Sequence, residues 1–268
     1  MPLTLTKHEA LGNDFLVLFD DQPLPDTTWD RLAVRLCDRR RGIGADGLLV
    51  GFLEPAGEGI DLVMGLWNAD GSRAEMSGNG IRCLAQAYAA RSGVTEGTLR
   101  IHTDAGLRTV EVLPGSGGPG TILASVAMGE VTDLDAPAAW EAVGADPLRP
   151  VRHLSLGNPH TVVAVDDVRA VDLLAIGTAV PEVNLEIVEA GPEPDAITMR
   201  VHERGAGITE ACGTGACAAA WAAGHWGLVA PGTTEITVHM DGGDAKVRLG
   251  IEVTLVGPAT HIATIEVP

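Results

Sequence analysis

The sequence predicts an α+β fold of two pseudo-symmetric halves. Each half is expected to be a curled, mostly antiparallel sheet around a central helix, with an active site in the cleft between them. Three observations lead there. Ser77-Gly78-Asn79-Gly80 and Cys212-Gly213-Thr214-Gly215 repeat one motif half a chain apart, and the register holds upstream, Met64 falling on Met199 and Glu75 on Glu210. A second pair precedes it, Leu11-Gly12-Asn13 and Leu156-Gly157-Asn158, each leading into an apolar run that ends in paired aspartates (Asp20-Asp21, Asp166-Asp167). Two motifs recurring in the same order read as two copies of one unit. Finally, short β-type runs dominate the rest of the chain.

Those runs lie at 16–19, 48–50, 60–64, 109–113, 161–165, 197–201, 235–240 and 251–256. Several alternate apolar and polar residues, as in Glu235-Ile236-Thr237-Val238-His239-Met240, which suits a sheet with one buried face. Few residues separate most of them, so antiparallel hairpins are favoured over βαβ crossovers. Two helices are expected directly after the repeated motifs, at 81–91 and 216–223. Both are rich in alanine and nearly free of β-branching, with Gly93 and Gly224 as their ends. Apolar character on almost every side predicts that these helices are enclosed by sheet. Further helices are expected at 29–40 and 171–178. The strongest breaker is Pro114-Gly115-Ser116-Gly117-Gly118-Pro119-Gly120, which places the boundary between halves at 118/119.

Composition narrows the partners. The 268 residues include 36 acidic against 18 Lys+Arg, a formal charge of −18 that disfavours nucleic acid and anionic membrane surfaces. Hydrophobic content of 46% with 3% aromatics predicts an ordinary globular core of Val, Leu, Ile and Ala. The N-terminus does not read as a signal peptide, and no apolar run reaches membrane-spanning length. Four cysteines (Cys37, Cys83, Cys212, Cys217) do not form a disulfide framework in so long a chain. A reduced, cytoplasmic setting is the expectation.

A Cys-Gly-x-Gly at a helix start can do chemistry. Glycines let backbone N–H groups converge, and the helix N-terminus adds positive potential, so a carboxylate is a suitable ligand. The same field predicts a Cys212 thiol lowered towards neutrality, a usable base or nucleophile. The alternative is a packed cysteine before a tight turn; two copies in register, each opening an Ala-rich helix, favour a site. Upstream, Glu203-Arg204 is either a solvated surface pair or a clamp in which Arg204 grips a second carboxylate. Its counterpart at the same offset is Asn68-Ala69, and Asn68 alone reads as a turn residue. His160, ending Gly157-Asn158-Pro159-His160, either tunes a thiol or is a turn histidine. Cys83 and Cys217 lie more than a helical turn beyond the motif heads and read as core residues. No His/Cys spacing suggests zinc, and neither a P-loop nor a dinucleotide fingerprint is present.

Together these residues resemble diaminopimelate epimerase, a cofactor-independent amino-acid epimerase family of lysine and peptidoglycan precursor synthesis. The resemblance runs through Leu11-Gly12-Asn13-Asp14-Phe15, Gly42-Ile43-Gly44-Ala45-Asp46-Gly47, Asn68-Ala69-Asp70-Gly71-Ser72 and Gly78-Asn79-Gly80. It continues through Gly157-Asn158-Pro159-His160, Val183-Asn184, Glu203-Arg204-Gly205-Ala206-Gly207, Ala211-Cys212-Gly213-Thr214-Gly215 and Ala259-Thr260-His261. It implies Asn13, Asn68, Asn158, Asn184 and Arg204 at the distal amino-acid end of the substrate, with Glu203 also in contact. Gly78, Asn79, Gly213 and Thr214 would bind the reacting α-carboxylate, and His160 and Glu203 would influence the catalytic pair's protonation. It further implies a small amino-acid substrate, no cofactor and no metal, and halves of 1–118 and 119–256 with 257–268 returning to the first. A homodimer is the associated expectation. Some members carry glutamine where Gly47 stands here.

The family places cysteine at both motif heads, whereas this chain has Ser77 at the first. A thiol/thiolate pair exchanges acid and base roles near neutral pH; a serine hydroxyl does not ionise there. Three readings of Ser77 stay open: an introduced change that stalls turnover, a natural variant that still epimerises, or altered chemistry. The last has precedent in the related proline-racemase superfamily, where Ser or Thr opposite Cys accompanies dehydration or epimerisation of hydroxyprolines. A catalytically silent amino-acid binder is the competing function.

Overall fold

The computed structural model describes residues 3–21, 28–53, 59–114, 118–143, 146 and 148–267. The elements in chain order are β1 (Leu3–Ala10), β2 (Asn13–Phe19), α1 (Trp29–Cys37), β3 (Gly47–Leu53), β4 (Leu62–Asn68), α2 (Gly78–Ser92), β5 (Gly97–Thr103), β6 (Gly106–Leu113) and β7 (Thr121–Gly129). They continue as β8 (Thr132–Asp133), α3 (Trp140–Val143), β9 (Val151–Ser155), β10 (Pro159–Ala164), α4 (Leu173–Ala179), β11 (Asn184–Ala190), β12 (Ala196–Glu203), β13 (Gly207–Thr209), α5 (Gly213–Trp226), β14 (Glu235–Met240), β15 (Gly243–Arg248) and β16 (Val253–Val267). The chain divides into two compact units, Met1–Val126 with Gly257–Pro268, and Ala127–Val256. The first division falls inside β7, some residues beyond the Pro/Gly stretch expected to mark it; Gly115, Ser116 and Gly117 of that stretch lie outside the described residues.

The duplication is visible in the pairing. In the first unit β1–β2 is antiparallel, β2–β3 parallel, β3–β4 antiparallel, β4–β5 parallel and β5–β6 antiparallel. The second unit repeats this as β9–β10, β10–β11, β11–β12, β12–β14 and β14–β15. Each parallel pair is joined through a helix: α1 and α2 in the first unit, α4 and α5 in the second. The sheets are mostly antiparallel, as expected, and the parallel pairs that hairpin reasoning passed over occur where helical crossovers make them possible. The first unit closes on itself. β16 lies beside β7 and pairs antiparallel with β1, Leu3 opposite Val267.

Each curled sheet packs its central helix on one face and a smaller helix on the other, so strand residues alternate between two destinations. In β3, Leu48 and Val50 join Leu32 and Leu36 of α1 in one core cluster. Leu49 points the other way, towards Gly80 of α2. In β11, Leu185 and Ile187 join Leu173 of α4, while Glu186 points towards Gly215 of α5. Ala216, Ala218, Ala219, Ala220, Ala222 and Ala223 are all buried, because a sheet wrapped around a helix leaves room only for short side chains.

Both central helices extend further than their sequence suggests. They run to Ser92 and Trp226, and a left-handed glycine ends each, Gly93 at φ 74° and Gly227 at φ 72°. Gly224 does not terminate α5; it is a helical residue packed near Leu249. The helix expected to reach 40 stops at Cys37, where the Asp38 carboxylate accepts from the Arg40 and Arg41 amides and draws the backbone into a turn. No helix among the described residues is long and apolar enough to cross a membrane.

Candidate active site

The two motif heads occupy equivalent places, each as the N-cap of a central helix. Ser77 has φ −139°, ψ 124°, and its Oγ accepts from Gly80 N at 3.0 Å. Cys212 has φ −126°, ψ 115°, and its Sγ accepts from Gly215 N at 3.4 Å. In both, extended backbone and a side-chain acceptor for the third helical N–H meet the ordinary requirements of a cap. The remaining amides of the first turn have no partner within the helix, which equips each start to receive an anion.

In the first unit, Leu11 (φ 56°) and Gly12 (φ 82°) form the two-residue turn between β1 and β2. Two consecutive left-handed residues match the twist of a tight hairpin, and a left-handed leucine carries a steric cost. The turn delivers Asn13, whose Nδ2 donates to Asp46 Oδ2 at 2.7 Å and whose Oδ1 accepts from Asn79 Nδ2 at 3.4 Å. Asp46 is held by Arg39, which also bonds Asp14; Lys7 meets Asp14 at 2.8 Å. Asp14's carboxyl feels burial, which would raise it, but the Arg39 and Lys7 hydrogen bonds and charges hold it below its ordinary value. Asn79 Oδ1 accepts from Arg82 Nη2 at 2.8 Å, and Arg82, fully buried, also donates to the Gly78 and Pro258 carbonyls. Ser77, Gly78, Asn79 and Asn13 are thus brought together.

Asn68 stands apart from that network. It ends β4, and its amide donates to Ser72 Oγ at 2.9 Å within an exposed turn. Opposite it in the ladder is Gly47, where a Cβ would come within 2.8 Å of the Trp67 carbonyl oxygen. A side chain at 47 is therefore excluded unless the backbone moves.

The second unit carries a longer polar network. Cys212 Sγ lies 3.5 Å from Thr214 Oγ1, which accepts from Asn158 Nδ2 at 3.2 Å. Asn158 Oδ1 lies 3.0 Å from His160 Nε2, and His160 Nδ1 lies 2.7 Å from Glu186 Oε1. Asn184 is buried, its Oδ1 accepting from the Arg204 backbone N–H at 2.9 Å and its Nδ2 donating to Pro159 O. Arg204 itself is exposed, and its guanidinium has no ion-pair partner among the described residues, which leaves it available to an anion. Glu203 accepts a short hydrogen bond from Thr209 Oγ1. Burial pushes its carboxyl up, against hydrogen bonds from Thr209 and Cys212.

The thiol corrects one expectation. Cys212 is raised well above the ordinary thiol value, first by burial and then by the Glu203 and Glu186 carboxylates; the Thr214 and Gly215 hydrogen bonds oppose this without overcoming it. The partial charge at a helix start is smaller than the combined effect of desolvation and two nearby anions. These surroundings favour the protonated thiol over the thiolate. Cys83 and Cys217 are fully buried.

Sequence reasoning missed Glu186, Asp46, Arg82 and Thr209. Glu186 left a readable trace as a lone carboxylate between Leu185 and Ile187 in a β run. Among the described residues no group of three or more His, Cys, Asp or Glu is placed to hold a metal ion.

A family model described as diaminopimelate epimerase matches residues 5–132 and 153–262. A diaminopimelate epimerase of Cyanothece sp. is 39% identical over 284 residues, spanning 98% of this chain and 98% of its own. One from Synechocystis sp. is 38% identical with the same coverage of both chains. Among solved structures, the chain is similar to a Bacillus anthracis phenazine biosynthesis protein of the PhzF family, at TM-score 0.72 and 15% identity over 100% of this chain and 99% of that one. It is also similar to a hydroxyproline epimerase from Agrobacterium vitis with bound trans-4-hydroxy-L-proline, at TM-score 0.68 and 17% identity over 99% and 92%. At such identities the likeness is one of fold.

Proposed function

The chain belongs to the diaminopimelate epimerase family, and on that premise we propose that it interconverts L,L- and meso-2,6-diaminopimelate by proton transfer at one α-carbon. The observation that carries the proposal is the matched pair of helix starts, each capped by its motif head, Ser77 or Cys212, with a glycine amide as donor. One head takes the α-proton and the other delivers a proton to the opposite face, so that no net proton is gained or lost. The donors after each head, at Gly78, Asn79, Gly213 and Thr214, stabilise the α-carboxylate as it takes on enolate character. Asn13, Asn68, Asn158, Asn184, Glu203 and Arg204 hold the distal amino-acid end, with Arg204 as the carboxylate clamp. His160 and Glu203 bias the protonation of Cys212. The α-ammonium of an amino acid is the kind of charge that offsets the two carboxylates near Cys212 and allows the thiol to ionise.

The working form we propose is a cytoplasmic homodimer that uses neither pyridoxal phosphate nor metal. Light scattering behind a sizing column tests the dimer, and an unchanged rate after dialysis against chelator tests the metal. A second reading follows from Ser77: a hydroxyl that does not ionise near neutral pH leaves a binder without turnover. A coupled assay for meso product, run beside calorimetric titration of L,L-diaminopimelate, separates the two. Product formation supports the epimerase; binding with no product at high enzyme concentration establishes the silent binder.

A further inference from the structure

We propose that Glu186 is a positioning residue that fixes the His160 tautomer and, through Asn158 and Thr214, the direction of the hydrogen bonds reaching Cys212. The inference rests on the reading above in taking Cys212 as a reacting group. Glu186 and His160 are both fully buried, with Oε1 2.7 Å from Nδ1. A Cβ on Gly215 would lie 2.5 Å from that same oxygen, so the carboxylate is seated against the first turn of α5, where only glycine leaves it room. The helix start favours a negative charge there. The other oxygen, Oε2, is buried with no hydrogen-bond partner among the described residues. A carboxylate so placed needs a reason beyond packing.

The chemistry of the chain supplies one. An ionised carboxylate only accepts, so His160 Nδ1 carries its proton whenever Glu186 is charged. Nε2 alone then remains variable, and it faces the Asn158 amide at 3.0 Å. If Nε2 is protonated, Asn158 turns its oxygen to the ring and its NH2 to Thr214. The Thr214 hydroxyl is then free to donate to Cys212 Sγ, the arrangement that suits a thiolate. If Nε2 is unprotonated, the amide presents its NH2 to the ring, Thr214 donates to the amide oxygen, and the Cys212 S–H donates to Thr214. Glu186 removes the other tautomer and leaves these two matched states, with the chain conveying hydrogen-bond direction and not a proton.

The first unit shows that packing does not demand this carboxylate. His160 opposite Asn184 in the β10–β11 ladder corresponds to Phe15 opposite Gly47 in β2–β3, and Glu186 opposite Val201 corresponds to Leu49 opposite Leu66. Where a Cβ on Gly215 would strike Glu186, one on Gly80 would come 3.4 Å from Leu49 Cδ2. The same architecture therefore packs with phenylalanine and leucine at the two matching places, and among the described residues the His160–Glu186 pair lies in the copy that bears the thiol. Glu203 on β12 is the other carboxylate facing Cys212. On the remaining strands packed against α5, Glu235 pairs with Lys246 and Arg248, His239 pairs with Asp244 and Glu193, and His153 meets Thr161.

The test uses the full chain with Glu186→Gln and Glu186→Leu, the second being the residue found at the matching place in the first unit. Nitrogen-15 NMR of labelled histidine, with His160 assigned by a His160→Gln variant, should show Nδ1 protonated in the parent. Nδ1 should shift towards the unprotonated position in both variants. Cys212-dependent exchange of the diaminopimelate α-proton in deuterated water should slow about 10–100-fold in turnover rate, the usual range for a residue behind a functional group. KM should stay within about threefold because Glu186 does not touch substrate. Nδ1 remaining protonated in both variants overturns the proposal; so does a changed tautomer with unchanged exchange, or a loss confined to KM. If the parent exchanges no α-proton, the family reaction is lost to this chain and the nitrogen shifts alone decide the assignment of Glu186.

Discussion

Replacing Ser77 with cysteine should raise the epimerisation rate by at least about tenfold, or about 1.4 kcal/mol of barrier. The change is sterically modest, since the same N-cap geometry already accommodates a thiol at Cys212, where the longer Gly215 N to Sγ contact of 3.4 Å replaces the 3.0 Å contact at Ser77. A positioned acid–base group contributes about 10²–10⁴ in rate, and serine keeps a donor while losing the ability to ionise, so part of that range is recoverable. The surroundings favour ionisation at 77. Arg82, one turn along α2, donates to the Gly78 carbonyl and to Asn79, whereas Cys212 faces two carboxylates. A thiol at 77 would therefore ionise more readily than Cys212, giving a base and an acid of opposite starting states. Weakening the serine cap costs about 0.5–1 kcal/mol of stability, too little to unfold the protein. Initial rates of meso formation from the L,L isomer, and of the reverse, should be measured alongside calorimetric substrate affinity. A flat rate with affinity intact would show that Ser77 is already competent or that it does not face the reacting carbon.

Other perturbations separate the remaining roles. Cys212→Ala should abolish turnover in both directions, and substantial residual activity would count against the assignment of the site. Arg204→Lys keeps the charge but loses the planar fork, so the Kd for diaminopimelate should rise about tenfold; unchanged affinity by calorimetry would place the carboxylate clamp elsewhere. Gly47→Gln should lower the urea midpoint, because the new Cβ would lie 2.8 Å from the Trp67 carbonyl, and overpacking of this kind costs about 1–3 kcal/mol. Asp14 makes stability depend on pH with a definite sign. Its folded value is depressed, so its contribution is fully present above the ordinary carboxylate value near about 3.9 and is lost as pH falls through the folded one. Arg39 is half-exposed, which keeps the contribution small. The midpoint of the parent should fall more steeply than that of Asp14→Asn in the acid range, and parallel curves would remove Asp14 from the account.

The duplication, the two central helices and the motif heads were legible because each leaves a local mark: a repeated Gly-x-Gly, an alanine run, a capping side chain. The strands β1, β5, β7, β8, β11, β13 and β15 escaped notice. Sequences such as Thr98-Leu99-Arg100-Ile101-His102 carry alternation too brief to distinguish from loop, and their identity comes from partners far along the chain. Gly224 misled because glycine also serves where a helix passes close to a neighbour, here Leu249. The thiol expectation failed for a related reason. The helix-start field can be read from adjacent residues, whereas the two opposing carboxylates arrive from β11 and β12 and are invisible until the sheet is folded.

The closing strand of the first unit has a consequence for how the polypeptide is made. β16 supplies the neighbour of both β1 and β7, yet the part of it that belongs to the first unit, from Gly257 on, is translated after every residue of the second unit. A growing chain thus displays two unsatisfied strand edges, the kind of template that promotes aggregation, until residues 257–267 leave the ribosome. Loss of residues 257–267 would hold the protein in that open condition permanently, however complete the chemistry-bearing residues before them.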